Sequence, residues 1–252
     1  MAQPRWSPGT FVWRELMTGD VDGARNFYAG LFGWTWKSQD MGPDGTYWLA
    51  SNGDQQVCGV YAKTADMRGP SAWWSYVLVE DVDAAAQRCK AASGKVFREP
   101  MDIPHVGRFA VLADPWGAGF MPFRASREES PPPQGPPPVG AFCWETLVTP
   151  DVNGAVAFYG KVVGFGTGRT PNGEGTVFLA GDRSVADIQA ARSGIPSYWA
   201  TYVAVANAEA SWDRAARLGG RIVVPRIDVP KVGTISVVAD PDGATLGLFQ
   251  PG

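Results

Sequence analysis

Polar and apolar positions alternate near the start of the chain. Phe11, Trp13 and Glu15 take one side of a period-two pattern and Val12, Arg14 and Leu16 the other, which predicts a strand. The period then changes. Ala24, Phe27, Tyr28 and Leu31 recur at helical spacing, Asp20 stands where an N-cap is needed, and Gly33 stands where the helix must stop. Short apolar runs from Tyr47 to Ala50, Val57 to Tyr61 and Trp74 to Val79 predict three further strands. A second helix is predicted from Ala84 to Ala92, with strands from Arg108 to Ala113 and Gly119 to Phe123.

The same order of signals then returns. Phe11-Val12-Trp13-Arg14-Glu15-Leu16 is answered by Phe142-Cys143-Trp144-Glu145-Thr146-Leu147, and at the same spacing Asp20, Ala24, Phe27, Tyr28 and Gly33 fall on Asp151, Ala155, Phe158, Tyr159 and Gly164. After small deletions Trp73, Tyr76, Gly107, Asp114, Pro115 and Gly117 fall on Trp199, Tyr202, Gly233, Asp240, Pro241 and Gly243. An ordered series of this length is a duplication. Between the copies, Ser126 to Val139 carries six prolines, a composition suited to an extended linker. The expected organisation is therefore a domain over 9–125, a linker over 126–139 and a second domain over 140–250. The repeats are expected to pack on each other as a pseudo-dimer within one chain, itself a monomer or weak homodimer. The two Asp-Pro-x-Gly sequences predict tight turns between the last two strands of each copy, and turn chemistry explains each of their positions.

These marks together resemble the vicinal-oxygen-chelate family of glyoxalases, bleomycin resistance proteins and extradiol dioxygenases. The most specific are Asp20…Phe27-Tyr28…Leu31-Phe32-Gly33-Trp34 with Asp151…Phe158-Tyr159…Val163-Gly164-Phe165, and Gly107-Arg108-Phe109…Asp114-Pro115-Trp116-Gly117 with Gly233-Thr234-Ile235…Asp240-Pro241-Asp242-Gly243. The resemblance implies an α+β fold of tandem glyoxalase-like domains, built of paired βαβββ modules whose mixed sheets curve into a U around a pocket. It also implies where a divalent ion would be held. Those positions carry Trp13 and Trp144, Trp74 and Ala200, and Met121 and Gly247, none of them a ligand for a hard cation. The chain contains one histidine, so a site with two imidazoles cannot form. No metal and no cofactor are expected.

Composition narrows the partners. The net charge is −3 and no dense run of Lys and Arg occurs, which gives no electrostatic reason to bind nucleic acid or an anionic membrane. No run of roughly 18 apolar residues and no leader pattern is present, so a cytoplasmic protein is expected. Cys58, Cys89 and Cys143 read as small core residues, too few for a disulfide framework. His105 occupies a loop position held by Lys231 in the second copy, as an exposed residue would. Eleven tryptophans, by contrast, far exceed ordinary usage. Trp13, Trp74, Trp144 and Trp199 read either as core filler or as platforms for a flat ligand.

The alternation puts Glu15 on the Trp13 side of its strand, toward the expected pocket, and Asp187 is a second carboxylate near a strand edge. Either is a general base or a hydrogen-bonded wall group. The reading is a metal-free binding protein that encloses a planar or aromatic small molecule, in the manner of the family's drug-sequestering members. The alternative is a metal-independent isomerase, cyclase or lyase acting on a small carbonyl or polyketide-like substrate, with Glu15 as catalytic base. A glyoxalase or dioxygenase with an unusual metal site is a third. Because Ala200 and Gly247 replace Trp74 and Met121, the roomier pocket is expected in the second copy, bordered by Ala200, Tyr202, Gly247 and Phe249. Its opposite wall is Trp13 and Glu15 if modules pair across repeats, the arrangement favoured, and Trp144 and Thr146 if they pair within one. Gly247→Leu is expected to fill that space at little cost in stability.

Overall fold

The structure is a computed structural model that describes residues 6–64, 67, 69–127, 135–171, 173 and 175–252. The middle of the proline-rich linker lies outside the described residues. The first repeat runs β1 (Phe11–Thr18), α1 (Val21–Phe32), β2 (Thr35–Asp40), β3 (Thr46–Asn52), β4 (Gln55–Ala62), β5 (Ala72–Leu78), α2 (Val82–Ala91), β6 (Lys95–Ile103), β7 (Gly107–Ala113) and β8 (Gly119–Ala125). The second repeats it as β9 (Phe142–Thr149), α3 (Val152–Val162), β10 (Gly166–Arg169), β11 (Thr176–Ala180), β12 (Arg183–Ala190), β13 (Tyr198–Ala204), α4 (Ala208–Arg217), β14 (Arg221–Val229), β15 (Gly233–Ala239) and β16 (Thr245–Pro251). The strands form two eight-stranded mixed sheets, β2-β3-β4-β1-β5-β8-β7-β6 and β10-β11-β12-β9-β13-β16-β15-β14. This is the α+β architecture that the resemblance implied.

Helix α1 starts at the cap that the sequence placed at Asp20, and α3 at its counterpart Asp151; α2 starts at Val82, two residues before the predicted Ala84, and α4 follows Asn207. Asp20 accepts from the Gly23 N–H, Asp81 from Ala84, Asp151 from Gly154 and Asn207 from Ala210, each satisfying a donor that the first turn leaves orphaned. Two strands of the first repeat, β2 and β6, were not predicted. Both stand at sheet edges and are largely exposed, so neither needs an apolar face.

By contact density the chain divides into two compact units, each built from both repeats. One joins Trp13–Trp74 to Ala200–Gly252 and includes Pro136–Trp144. Here α1 packs on α4 around buried Leu16, Phe27, Tyr28, Trp34, Val203 and Leu248. Each fully buried Leu or Phe contributes about 1.5–3 kcal/mol relative to exposure. The Tyr28 hydroxyl accepts from Trp73 Nε1 at 3.0 Å and donates to Asp240 Oδ2 at 3.0 Å. Asp240 Oδ1 meanwhile accepts the Asp242 and Ala244 N–H groups of its own turn. Asp242 accepts from Thr18 Oγ1 at 2.7 Å, from the Gly19 N–H at 2.7 Å and from Ser71 Oγ.

The other unit joins Ser75–Gly135 to Glu145–Trp199, with the residues up to Val12. Here α2 packs on α3 around Phe120, Phe158, Tyr159, Phe165 and Phe178. Tyr159 accepts from Trp199 Nε1 at 2.9 Å and donates to Asp114 Oδ2 at 3.3 Å, and Ser197 Oγ donates to the same carboxylate at 3.2 Å. The two sequence motifs of the duplication are thus partners of each other. The tyrosine of one repeat is latched to the turn aspartate of the other, once in each unit, so turn chemistry alone does not account for Asp114 and Asp240. Burial pushes both carboxyls above the ordinary carboxylate value and holds Tyr28 and Tyr159 protonated.

Candidate functional site

With Leu16 in the core beneath α1, alternation turns Trp13, Glu15 and Met17 of β1 to the sheet face away from the helices. The parallel register of β1 and β4 sets Glu15 opposite Gly59, and the antiparallel register of β3 and β4 sets Leu49 opposite Gly59 and Tyr47 opposite Tyr61. That register lays the Tyr47 side chain across β4 toward β1. A Cβ on residue 59 would sit 1.8 Å from the Tyr47 hydroxyl, so the position admits only glycine while Tyr47 holds this pose.

The result is an ordered relay. Trp13 Nε1 donates to Tyr47 Oη at 2.9 Å, and Tyr47 Oη lies 2.6 Å from Glu15 Oε1. Indole is a donor only, so the tyrosine oxygen accepts from Trp13 and its single proton goes to Glu15. A separation of 2.6 Å is the length of a charge-assisted O–H···O⁻ bond, and Glu15 serves as the acceptor. Burial, reinforced by the Glu15 charge, raises the Tyr47 phenol and keeps its proton in place. Glu15 is itself 8% exposed, and Tyr47 and Tyr61 stack at 6.2 Å on the same face. Trp74 follows Trp73 on β5; since Trp73 points to Tyr28, Trp74 points the other way, to the side of Glu15.

The second copy has different chemistry in the same register. Thr146 stands opposite Asp187 and donates to its Oδ1 at 2.5 Å, while Gln189 Nε2 reaches Oδ2 at 3.0 Å. The carboxylate has changed strands, from β1 in the first repeat to β12 in the second.

Several expected site residues are placed otherwise than the sequence suggested. Trp199 packs against the core with its indole N–H on Tyr159, which makes it a latch residue and no platform. The space expected above Gly247 is filled: Tyr202 pairs with it in register, and a Cβ there would lie 2.0 Å from the Tyr202 ring. Tyr202 is buried and takes up the space directly above Gly247, so Gly247→Leu would not be cheap. Nor do Trp13 and Glu15 share a sheet with those residues. Strand β1 belongs to the first repeat's sheet, whereas β9, with Trp144 and Thr146, stands beside β13. His105 is exposed, and like Lys231 it adopts a left-handed backbone. Cys58 and Cys89 are buried core thiols, pushed up by that burial, Cys89 to about 11. Sequence reasoning missed Tyr47 and Gly59; the Gly59 among the apolar residues of a strand was the available signal.

The positions that would carry a divalent ion hold indole, thioether, methyl and hydrogen, and among the described residues no group of three or more His, Cys, Asp or Glu is placed to bind one. The donor set at those positions does not fit a metal. Among the described residues, too, no helix is long and apolar enough to cross a membrane.

Comparison with known proteins returns a family model described as Glyoxalase/Bleomycin resistance protein/Dioxygenase superfamily, matching residues 10–121 and 142–248. The anthracycline biosynthesis protein DnrV of Streptomyces peucetius is 33% identical over 98% of this chain and 94% of its own length. A putative glyoxylase, CFP32, of Mycobacterium tuberculosis is 31% identical over 96% and 95%. Among solved structures, a Mn(II)-bound glyoxalase from Novosphingobium aromaticivorans superposes with a TM-score of 0.66 at 16% identity, covering 97% of this chain and 83% of that one. The 2,3-dioxygenase LapB from Pseudomonas sp. KL28 gives 0.65 at 14%, covering 100% and 94%.

Proposed function

Because the chain belongs to the glyoxalase/bleomycin resistance protein/dioxygenase superfamily, we propose that it is a metal-free small-molecule binding protein that holds a planar aromatic compound on the open face of its first repeat. The observation that carries this is the Trp13–Tyr47–Glu15 relay: one desolvated carboxylate, fixed by a phenol and an indole, among flat side chains. Small-molecule sites are mostly apolar with a few convergent polar groups, and that is the composition of this face. The relation to a protein named for anthracycline biosynthesis supports a polycyclic, oxygenated ligand. The proposal retains a cytoplasmic protein, monomeric or weakly dimeric, without a cofactor.

The second reading is an enzyme. In this reading Glu15 takes a proton from carbon beside a carbonyl in an isomerisation, cyclisation or elimination, and its support is the Tyr47 hydrogen bond that fixes the carboxylate's orientation. The experiment is to incubate the protein with planar polyketide-type compounds and follow both binding and chemical change. A binder returns the compound unchanged, and Glu15→Gln weakens affinity. An enzyme converts it, and Glu15→Gln removes turnover with binding retained. One equivalent of metal by elemental analysis, lost with function on chelation, would overturn the metal-free reading.

A further inference from the structure

Protein interiors rarely leave a buried N–H without an acceptor, because the lost hydration is not recovered. The tryptophans of this chain illustrate the rule. Trp13 donates to Tyr47, Trp34 to the Gly140 carbonyl, Trp36 to the Arg25 carbonyl, Trp73 to Tyr28 and Trp199 to Tyr159. Trp74 breaks it: its Nε1 is buried and has no hydrogen-bond partner among the described residues. The two neighbours on β5 therefore differ in kind. Trp73 is a latch residue on the helix side, and Trp74 is an unsatisfied donor on the side of Glu15.

The geometry points to Trp74 Nε1 as the donor that recognises a carbonyl oxygen of the ligand, which makes the ligand class planar aromatic ketones and quinones and disfavours bare hydrocarbons of the same shape. This rests on the reading that the open face of the first repeat is the ligand site. Alternation along β5 fixes the direction of the group, and none of the described residues accepts from it, which leaves the donor to a ligand or water. The free protein leaves this donor unsatisfied and the bound form recovers it, so the interaction contributes to affinity and selectivity and not to the fold.

Two soluble probes of matched outline separate the possibilities: a sulfonated anthraquinone, with two ring carbonyls, and a sulfonated anthracene, with none. Titration of the whole chain is expected to show the quinone bound about tenfold more tightly, the worth of one satisfied donor. Trp74→Phe should erase that preference while still binding the hydrocarbon. In the free variant the melting temperature should hold or rise, by up to about 2–4 °C, whereas loss of a structural hydrogen bond would lower it. Should the phenylalanine variant fail to fold, Trp74→Leu tests the same preference. A preference that survives Trp74→Phe, or equal binding of both probes by the native protein, overturns the assignment of Trp74 and leaves the binding site standing. Failure of the native protein to bind either probe overturns both.

Discussion

On the first repeat's open face Glu15 stands opposite Gly59, and on the second's Thr146 stands opposite Asp187. Both pairs occupy the same register, yet the first acid is buried and accepts a hydrogen bond from a phenol that the glycine admits, while the second is half-exposed between a threonine and a glutamine. On the helix side the copies have stayed alike: in each unit an indole, a phenol and a turn carboxylate form one chain of hydrogen bonds. A latch that joins the two repeats constrains both at once, since a change in either partner leaves the other buried and unpaired. An open face is free of that constraint. The difference sets the two open faces apart and leaves the latches as the common architecture.

The largest expected effect on stability comes from the two glycines that admit tyrosines. Gly247→Ala drives a Cβ into the body of the Tyr202 ring and should cost about 1–3 kcal/mol, as overpacking does, with binding to the first repeat intact. Gly59→Ala drives a Cβ to 1.8 Å from the Tyr47 hydroxyl and 2.2 Å from the ring carbon that bears it, so the ring must swing away, and ligand binding should be abolished because the relay to Glu15 is broken. Denaturant melts and ligand titrations of both variants decide. Binding lost in Gly247→Ala and kept in Gly59→Ala would move the site to the second repeat.

The latches come next. Tyr28→Phe leaves the Trp73 N–H and Asp240 Oδ2 without their partner, an expected loss of about 1–3 kcal/mol. Tyr159→Phe should cost less, since Ser197 Oγ, which lies 3.0 Å from the Val148 carbonyl and 3.2 Å from Asp114 Oδ2, is able to turn its one proton to the carboxylate. Equal losses in thermal or chemical unfolding would show that Ser197 does not support its latch.

Among ligand effects, Glu15→Gln should weaken binding by about tenfold or more, given about 1.5–3 kcal/mol for a hydrogen bond to a charged group. Asp187→Asn should change it less than about twofold, as the interactions of a half-exposed carboxylate are screened by solvent. Similar losses from both would mean that the two faces share the task.

How much of this was legible beforehand follows from where each constraint acts. Phe27, Tyr28 and Leu31 declared a helix because burial imposes a 3.6-residue period, and Asp20 and Asp151 declared its start. Strands β2 and β6 escaped because edge strands are exposed: Thr35–Asp40 is nearly all polar, and Lys95–Ile103 carries charges and Pro100, which blunt an edge and erase alternation. Glu15 was legible from alternation within one strand, whereas its grip by Tyr47 depends on cross-strand register, which no local pattern contains. The pocket misassigned to Gly247 has the same origin. Volume counted from residues at one position ignores the neighbour that the register leans over it. Likewise the Asp-Pro-x-Gly turns explained themselves locally and so concealed their second role.

The smallest expected effect concerns position 242, where the turns differ: the first repeat has Trp116 and the second Asp242. Ser71 and Thr18, with the Gly19 N–H, hold the Asp242 carboxyl below its ordinary value of 3.8. A group lowered in the folded state contributes stability above its unfolded value and loses it as pH falls through the folded one. The buried latch acids have the opposite sign. Asp114 and Asp240 are raised by burial, so their contribution is full below 3.8 and is lost as pH rises through their folded values. The two effects therefore act on opposite sides of 3.8. Asp242→Asn should reduce stability slightly at neutral pH, converge on the parent protein in strong acid, and leave the slope above 3.8 unchanged. Trp116→Ala, in the corresponding turn, should lower stability by an amount independent of pH, since no carboxyl is lost. Unfolding midpoints measured across the acid range distinguish these. Curves for Asp242→Asn that run parallel to the parent down to the lowest pH would show that the Ser71 and Thr18 contacts stabilise no charge, and that the two turns differ in shape alone.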